Sequence, residues 1–541
     1  MSAASRIVRA SKFRHVFAEP EKPDNCYSDL ELSPNTGDHN YIKGNSKFFS
    51  VAVRGGGGPV LVLPYSQVGK LPRGYPLVNG HSAAVYDMAW CPSNDNILAT
   101  GSDDCTAKIW SIPEGGLTET IKEPLQTLTG HGKPVSLLSW HPTAANVLAT
   151  VGKEPSVRIW DVEKASAVLK LEAFGGLVQD FSFNHNGGLL GTSDKAKMMK
   201  VHDPRTGTVS AEWQPHAGGK PFRFTWLGAS GGLVTVGFTA QSKREVKVWD
   251  PRGDVSKPLA ALELDQMSGV IMPFYDEDTR MLYLVGKGDG NIRYFEMVDG
   301  DPYVYPLAEH RTNVSTKGAD FLPKRSCNAM KCEVARFLKL TNDSVEPISF
   351  IVPRKETSFQ EDIFPETYSG VPSMTADEYF GGKSVATAKK MSMDPSKRAG
   401  YVAPVATFHA APAPAHADVS SPKASNTSSS SNNNNSSVDH EALVNAQEAL
   451  AVALSRATKA EARVQALTSE VDRLQTKVNE ANEAVAAAQA SSATGIVNNG
   501  GGDDGAEAAA LKKQLSEASE RIAALEASEA KLKKAVAALS A

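Results

Sequence analysis

The chain has 541 residues, with 57 lysines and arginines against 61 aspartates and glutamates and a formal net charge of −4. That length accommodates a large core and at least one further unit, and the charge gives no global attraction for nucleic acid or an anionic membrane. Five cysteines (Cys26, Cys91, Cys105, Cys327, Cys332), few, odd in number and scattered, disfavour a disulfide framework and fit a reducing compartment.

The opening stretch, MSAASRIVRASKFRHVF, carries Arg6, Arg9, Lys12 and Arg14 and no acid. An organelle transit peptide has this composition, and so has a basic arm or the start of a folded domain. Upstream of the first clear repeat, KFFSVAVRGGGGPVLVLP (47–64) reads as a hairpin around a glycine turn.

An internal repeat follows. GHSAAVYDMAWCPSNDNILATGSDDCTAKIW (80–110) aligns without a gap to GHGKPVSLLSWHPTAANVLATVGKEPSVRIW (130–160), at an offset of 50 residues. Each copy reads as three short strands separated by turns. Repeats of this length that open on Gly-His and close on Trp mark propeller blades. The excess length is assigned to the insert PEGGLTETIKEP after Trp110. Weaker copies occupy 178–203, with His202 at the Trp position; 223–250, ending in Trp249-Asp250; and 272–296, ending in Tyr294-Phe295. With the strand-like segments after Tyr303, the count is seven blades. The expected fold is an all-β seven-bladed WD-repeat propeller over 1–355, closed by an N-terminal strand.

Beyond a 356–400 extension, the Ser-, Asn-, Pro- and Ala-rich stretch 401–438 has too few large apolar groups to offset chain entropy and is expected to be a disordered linker. From 439 the composition is that of helix. Val464, Leu467, Val471, Leu474, Val478, Ala481 and Val485 form a heptad seam in a first coiled-coil segment, 439–490. A Gly-rich break covers 491–505. A second segment, 506–541, carries a seam through Leu511, Leu515, Ala518, Ile522, Leu525, Leu532, Val536 and Leu539. Val at a with Leu at d in the first segment suits two strands. In the second, Arg521, Ile522, Leu525 and Glu526 follow the Arg-apolar-x-x-apolar-Glu pattern of short trimeric coiled coils, so a homotrimer is expected.

No motif in the chain reads as an enzyme's. GGGG at 55–58 lacks the Gly-Lys-Ser/Thr and helix of a phosphate loop, and GKGDGN at 286–291 is a hairpin turn. Cys327 and Cys332 lack a second pair at zinc-ligand spacing, and no apolar run approaches the roughly 18 residues that span a bilayer. No cofactor, metal, nucleic acid or integral membrane partner is expected. His81, Asp104 and Trp110, with Thr100 or Ser102 as the hydroxyl, read as a buried blade-stabilising hydrogen-bonded set. His131, Thr150, Glu154 and Trp160 repeat it, and Trp249 marks a further blade. Repetition argues for architecture, because an active site needs one copy.

The chain resembles the coronin family, WD-repeat actin-binding proteins. The resemblance rests on VRASKFRHVFAEPEKPDNCYSDLELS (8–33), the first repeat (80–117), SGVIMPFYDEDTRMLYLVGKGDGNIRYFE (268–296), NAMKCEVARFLKL (328–340), VPRKETSFQEDIFPET (352–367) and TADEYFGG (375–382). The N-terminal stretch is continuous with this signature, and the alternation of Phe13, His15 and Phe17 suits a strand that completes the last blade, which sets the transit-peptide reading aside. The resemblance implies a cytoplasmic protein of the actin cytoskeleton and cell cortex that binds actin filaments. It further implies modulation of the Arp branching complex and cooperation with cofilin. After CYSDL, coronins often carry a basic residue implicated in filament contact. This chain has Glu31 there, and Lys12 and Arg14 are the basic candidates nearby. The alternative reading is an oligomeric WD-repeat scaffold for peptide or trafficking partners.

Overall fold

The computed structural model describes residues 10–398, apart from 36, 38 and 173. The linker and both coiled-coil segments lie outside the described residues, as do the oligomerisation residues from Leu511 to Leu539.

Seven sheets follow one another along the chain as blades. Blade 1 has three strands, Ile42–Gly44, Phe48–Ala52 and Val60–Pro64, with Val78 bridged to Val60 where a fourth would lie. Blade 2 comprises Val85–Trp90, Ile97–Ser102, Thr106–Ser111 and Gln126–Thr129. Blade 3 comprises Val135–Trp140, Val147–Gly152, Val157–Asp161 and Ser166–Leu171. Blades 4, 5 and 6 repeat the four-stranded antiparallel plan from Val178 to His310.

The blades therefore have four strands where the repeat suggested three. The fourth lies after the third-strand tryptophan, in blade 2 beyond the insert. It faces solvent on much of its surface, so its pattern is weak: Ser166–Leu171 buries only Leu171. Second strands are the opposite case. Ile97–Ser102, Val147–Gly152, Leu233–Phe238 and Met281–Gly286 are buried at every position. A strand flanked by sheet on both sides and packed by blades on both faces has no solvent side to alternate toward.

Neighbouring inner strands do not pair through their backbones, and side chains staple them instead. Trp90 Nε1 donates to Lys43 O at 3.1 Å, Trp140 Nε1 to Ala89 O at 2.9 Å and Trp226 Nε1 to Ser182 O at 3.1 Å. In the other direction, Asp87 accepts from Leu138 N at 2.9 Å, Asp180 from Phe224 N at 3.2 Å and Asp320 from Gly44 N at 2.8 Å. The last of these links blade 7 to blade 1 and so closes the ring.

Blade 7 is built from both ends of the domain. Gly318–Phe321, Glu333–Leu340 and Val345–Ile351 come from the C-terminal side, and Phe17–Pro20 and then Tyr27–Ser28 pair with Val345–Ile351. Gly69–Lys70 adds to Tyr27–Ser28 in parallel. The clasp strand lies later than the residue alternation suggested. The chain bends and turns through 12–15, so Phe13 and Val16 are buried while His15 and Phe17 are exposed. Phe13 and Val16 pack among Tyr283, Phe337 and Phe350, and Tyr294 Oη donates to Val16 O at 3.0 Å.

The propeller has two distinct faces. Loops joining first to second and third to fourth strands open on one face, and residues 356–398 lie across it. Ser373 N donates to Thr143 O at 2.8 Å, Asn186 Nδ2 to Ala386 O at 3.3 Å, and Arg205 to Gly382 O at 3.0 Å. Ile363, Phe364, Met374, Tyr379 and Met393 are buried against the blades. A capping box between Thr375 and Glu378 starts the short helix Ala376–Phe380 in this segment. The opposite face carries the second-to-third-strand loops and the connections between blades.

Candidate functional site

The sequence-singled residues of blades 2 and 3 form continuous hydrogen-bonded chains. His81 Nδ1 lies 2.8 Å from Asp104, His81 Nε2 lies 2.7 Å from Thr100 Oγ1, and Trp110 Nε1 donates to Thr100 Oγ1 at 2.8 Å. In blade 3 the distances are 2.8 Å (His131–Glu154), 2.7 Å (His131–Thr150) and 2.7 Å (Trp160–Thr150). A carboxylate only accepts, so Nδ1 carries the imidazole proton. Nε2 must then accept from the threonine hydroxyl, whose oxygen accepts from the indole. Each proton has one direction to point. Thr100, not Ser102, supplies the hydroxyl in blade 2; Ser102 Oγ donates to Ala83 O at 3.0 Å and steadies the adjoining turn.

Burial and electrostatics fit a structural role. Thr100, Thr150 and Trp110 are fully buried. Burial pushes the His131 pKa down, against the opposing pull of Glu154. The hydrogen bond from His81 helps hold the Asp104 carboxyl well below the usual range, although burial opposes it. Repeating these sets from blade to blade stiffens each sheet.

A third set was missed in the sequence apart from Trp249. His216 Nδ1 lies 2.8 Å from Glu245 and His216 Nε2 lies 2.9 Å from Thr235, while Trp249 Nε1 donates to Thr235 at 2.8 Å. The acid stands four residues before the tryptophan, against six for Asp104 and Glu154, which hides the match. The usable signal is Thr-Val-Gly, common to Thr150–Gly152 and Thr235–Gly237. The glycine is needed because the histidine lies against it: a Cβ on Gly152 would come 2.7 Å from His131 Nδ1, and on Gly237 2.5 Å from His216 Cγ. Blade 4 keeps a remnant, with His202 Nε2 3.1 Å from Thr192 Oγ1 and Phe174 against the imidazole.

The candidate contact residues are not brought together. Lys12 Nζ donates to Asp362 O at 2.9 Å, at the extension-bearing face, and the adjacent Arg14 is exposed. From Phe17 the chain runs along Val345–Ile351, and Leu30 N donates to Asp343 O beyond its far end. The strand Val345–Ile351, six steps long, spans about 20 Å, and Asp343 lies in the bend just past its far end. Glu31 therefore emerges at the opposite face, exposed, with its carbonyl accepting from Arg54 N at 2.8 Å beside the glycine loop. Lys12 and Arg14 cannot stand in for a basic group at Glu31.

Comparison with known proteins agrees with this architecture. Residues 74–111 and 122–161 match the WD domain, G-beta repeat; 345–387 match a type of WD40 repeat; and 6–70 match a domain of unknown function, DUF1899. The chain is 49% identical over 379 residues to Coronin-A of Dictyostelium discoideum, covering 70% of this chain and 84% of that protein. This chain belongs to the coronin family. The crystal structure of the WD40 domain of Toxoplasma gondii coronin superposes with a TM-score of 0.66 at 32% identity, over 70% of this chain and 97% of that one. Coronin membership places the chain among non-enzymatic scaffold proteins built on the WD40 propeller.

Proposed function

We propose that this coronin-family chain is a cytoplasmic, actin-filament-binding regulator in which a propeller surface contacts the filament and the C-terminal heptads supply avidity. The observation that carries the reading is the coronin match, 49% identical over 379 residues. A rigid propeller offers one moderate contact, and joining several copies through a coiled-coil stalk makes the second engagement intramolecular, which tightens binding by orders of magnitude without new contacts. The heptad seams and the Arg521–Glu526 pattern support a trimer, and modulation of the Arp branching complex and cooperation with cofilin belong to the same reading. Glu31 sets a boundary on it. A carboxylate facing an acidic filament surface costs affinity, so contact on this face has to draw on other residues.

Filament co-sedimentation of the full chain and of a form lacking 439–541 tests this. The full chain is expected to pellet with filaments, the shortened one severalfold more weakly, and Glu31→Lys more tightly than wild type. Absence of pelleting at low salt would sink the actin reading in favour of a scaffold for other partners; equal affinity without 439–541 would sink avidity.

A further inference from the structure

The central channel opens on the face away from the extension into a cavity of about 280 Å³, lined by residues of blades 3, 4 and 5 and by His39. Its rim is cationic. Lys153 and Lys195 are exposed there, and among the described residues neither is ion-paired with a carboxylate. Lys153 Nζ instead stands 3.7 Å over the ring of Tyr86, and Lys287 and Lys317 lie 4.4 and 5.6 Å from the centroid of Tyr41. Deeper in the wall, Arg223 is 3.0 Å from Asp180. The acids around the mouth are engaged elsewhere: Asp103 accepts from Tyr86 Oη at 3.1 Å, Glu154 lies 2.8 Å from His131 Nδ1, Asp194 accepts from Gly175 N at 3.1 Å and Asp87 from Leu138 N at 2.9 Å.

Two further features qualify this mouth as a site. His39 reaches into it with Nδ1 buried and without a partner among the described residues. Burial, together with Arg223, Lys287, Lys153 and Lys43 around it, holds the imidazole neutral, with its pKa down at about 3. Leu177, at the same rim, is 37% exposed, which leaves an apolar surface beside the lysines. A bare anion would use the lysines and leave Leu177 wet. A peptide with carboxylates around one apolar side chain uses both.

We propose that the channel mouth docks an acidic peptide segment, its carboxylates meeting Lys153 and Lys195 and its apolar side chain covering Leu177. Exposed lysines that lack acid partners supply the charge complementarity, and the wall of the cavity fixes direction of approach. The site does not depend on the filament reading, because its ligand is a soluble peptide and its readout is separate from pelleting.

The test is fluorescence anisotropy of the full-length protein with a fluorescein-labelled peptide of alternating glutamate and glycine around one leucine. Saturable binding that weakens with added salt is expected. Lys153→Glu combined with Lys195→Glu should lower affinity by about tenfold or more, with the neutral Gln pair in between. Leu177→Ser, or a peptide with glycine for leucine, should weaken binding severalfold. These side chains are exposed, and an unchanged thermal melt checks that each variant folds. The proposal is overturned by failure to bind, by equal affinity in the charge-reversed pair, or by equal binding of a lysine-for-glutamate peptide. Displacement by inorganic phosphate as effective as by unlabelled peptide also overturns it.

Discussion

Replacing Thr100 by valine removes one hydroxyl and nearly nothing else, since the two side chains have the same shape. That hydroxyl is the only link between His81 Nε2, at 2.7 Å, and Trp110 Nε1, at 2.8 Å, and threonine and indole are both fully buried. The variant leaves one donor and one acceptor without partners. Each costs about 1–3 kcal/mol, because water cannot reach it. Burial of the new methyl group returns up to about 0.8 kcal/mol. A loss of about 1–5 kcal/mol is expected, against less than about 0.5 kcal/mol for the exposed control Thr129→Val. Urea unfolding of the full chain measures the size, and amide exchange locates it: Ile97–Ser102 and Thr106–Ser111 should lose protection before Leu233–Phe238 in blade 5. Combining Thr100→Val with Trp110→Phe should cost less than the sum, since the second change removes the stranded donor. A loss under about 0.5 kcal/mol, or exchange rising equally in both blades, would refute the argument that these sets stiffen their own blades.

Two further outcomes follow from buried titratable groups. Burial lowers His141 and His202 to about 4, while an unfolded histidine titrates near 6.5. Between those values the unfolded state binds protons that the folded state refuses, so the contribution of these two histidines should fall as pH drops from about 6.5 and level off below about 4. His202→Gln should reduce that slope by about one proton, near 1.4 kcal/mol per pH unit; thermal melts across this range with an unaltered slope would contradict it. At the ring closure, Asp320→Ala strands the Gly44 N–H and should cost about 1–3 kcal/mol. Asp320→Asn keeps an acceptor for the 2.8 Å bond and removes a carboxyl that burial raises to about 6, so it should cost little at neutral pH. Equal losses in the two variants would mean that the staple does not hold blades 7 and 1 together.

Blades 2 and 3 were legible because they carry the full spacing of Gly-His, Thr, acid and Trp in register. What varied was the spacing around an otherwise preserved set, and spacing is what sequence comparison reads first. In blade 5 the chemistry is intact, yet Glu245 sits within the strand Arg244–Trp249 and the link to Trp249 spans 14 residues instead of 10. The exposed fourth strands left little apolar pattern to see. The clasp was misplaced for a different reason. Its position is set by long-range register, Phe17 opposite Ile351, and local alternation does not encode it. The stapling aspartates were equally hidden, since an Asp on an inner strand looks like an error of polarity until the neighbouring blade's N–H is in place.

The two chain ends of the domain also decide which surface is left for partners. The N-terminal segment enters blade 7 at the extension-bearing face and leaves it at the other, and the extension covers the first of these with Ile363, Phe364, Met374, Tyr379 and Met393. Lys12 is consequently tied to Asp362 in a closing contact. Glu31, Arg54, Lys153 and Lys195 stand exposed on the second face. Phe13 and Val16 are buried in the cluster that includes Tyr283, Phe337 and Phe350, so substitutions there act on ring closure, and a change in binding there travels with a change in stability. Glu31 is held through its backbone carbonyl, so its side chain is free to alter recognition without cost to the fold. That separation makes Glu31→Lys a clean probe of the exposed face: a shift in filament affinity with an unchanged melt assigns the effect to contact.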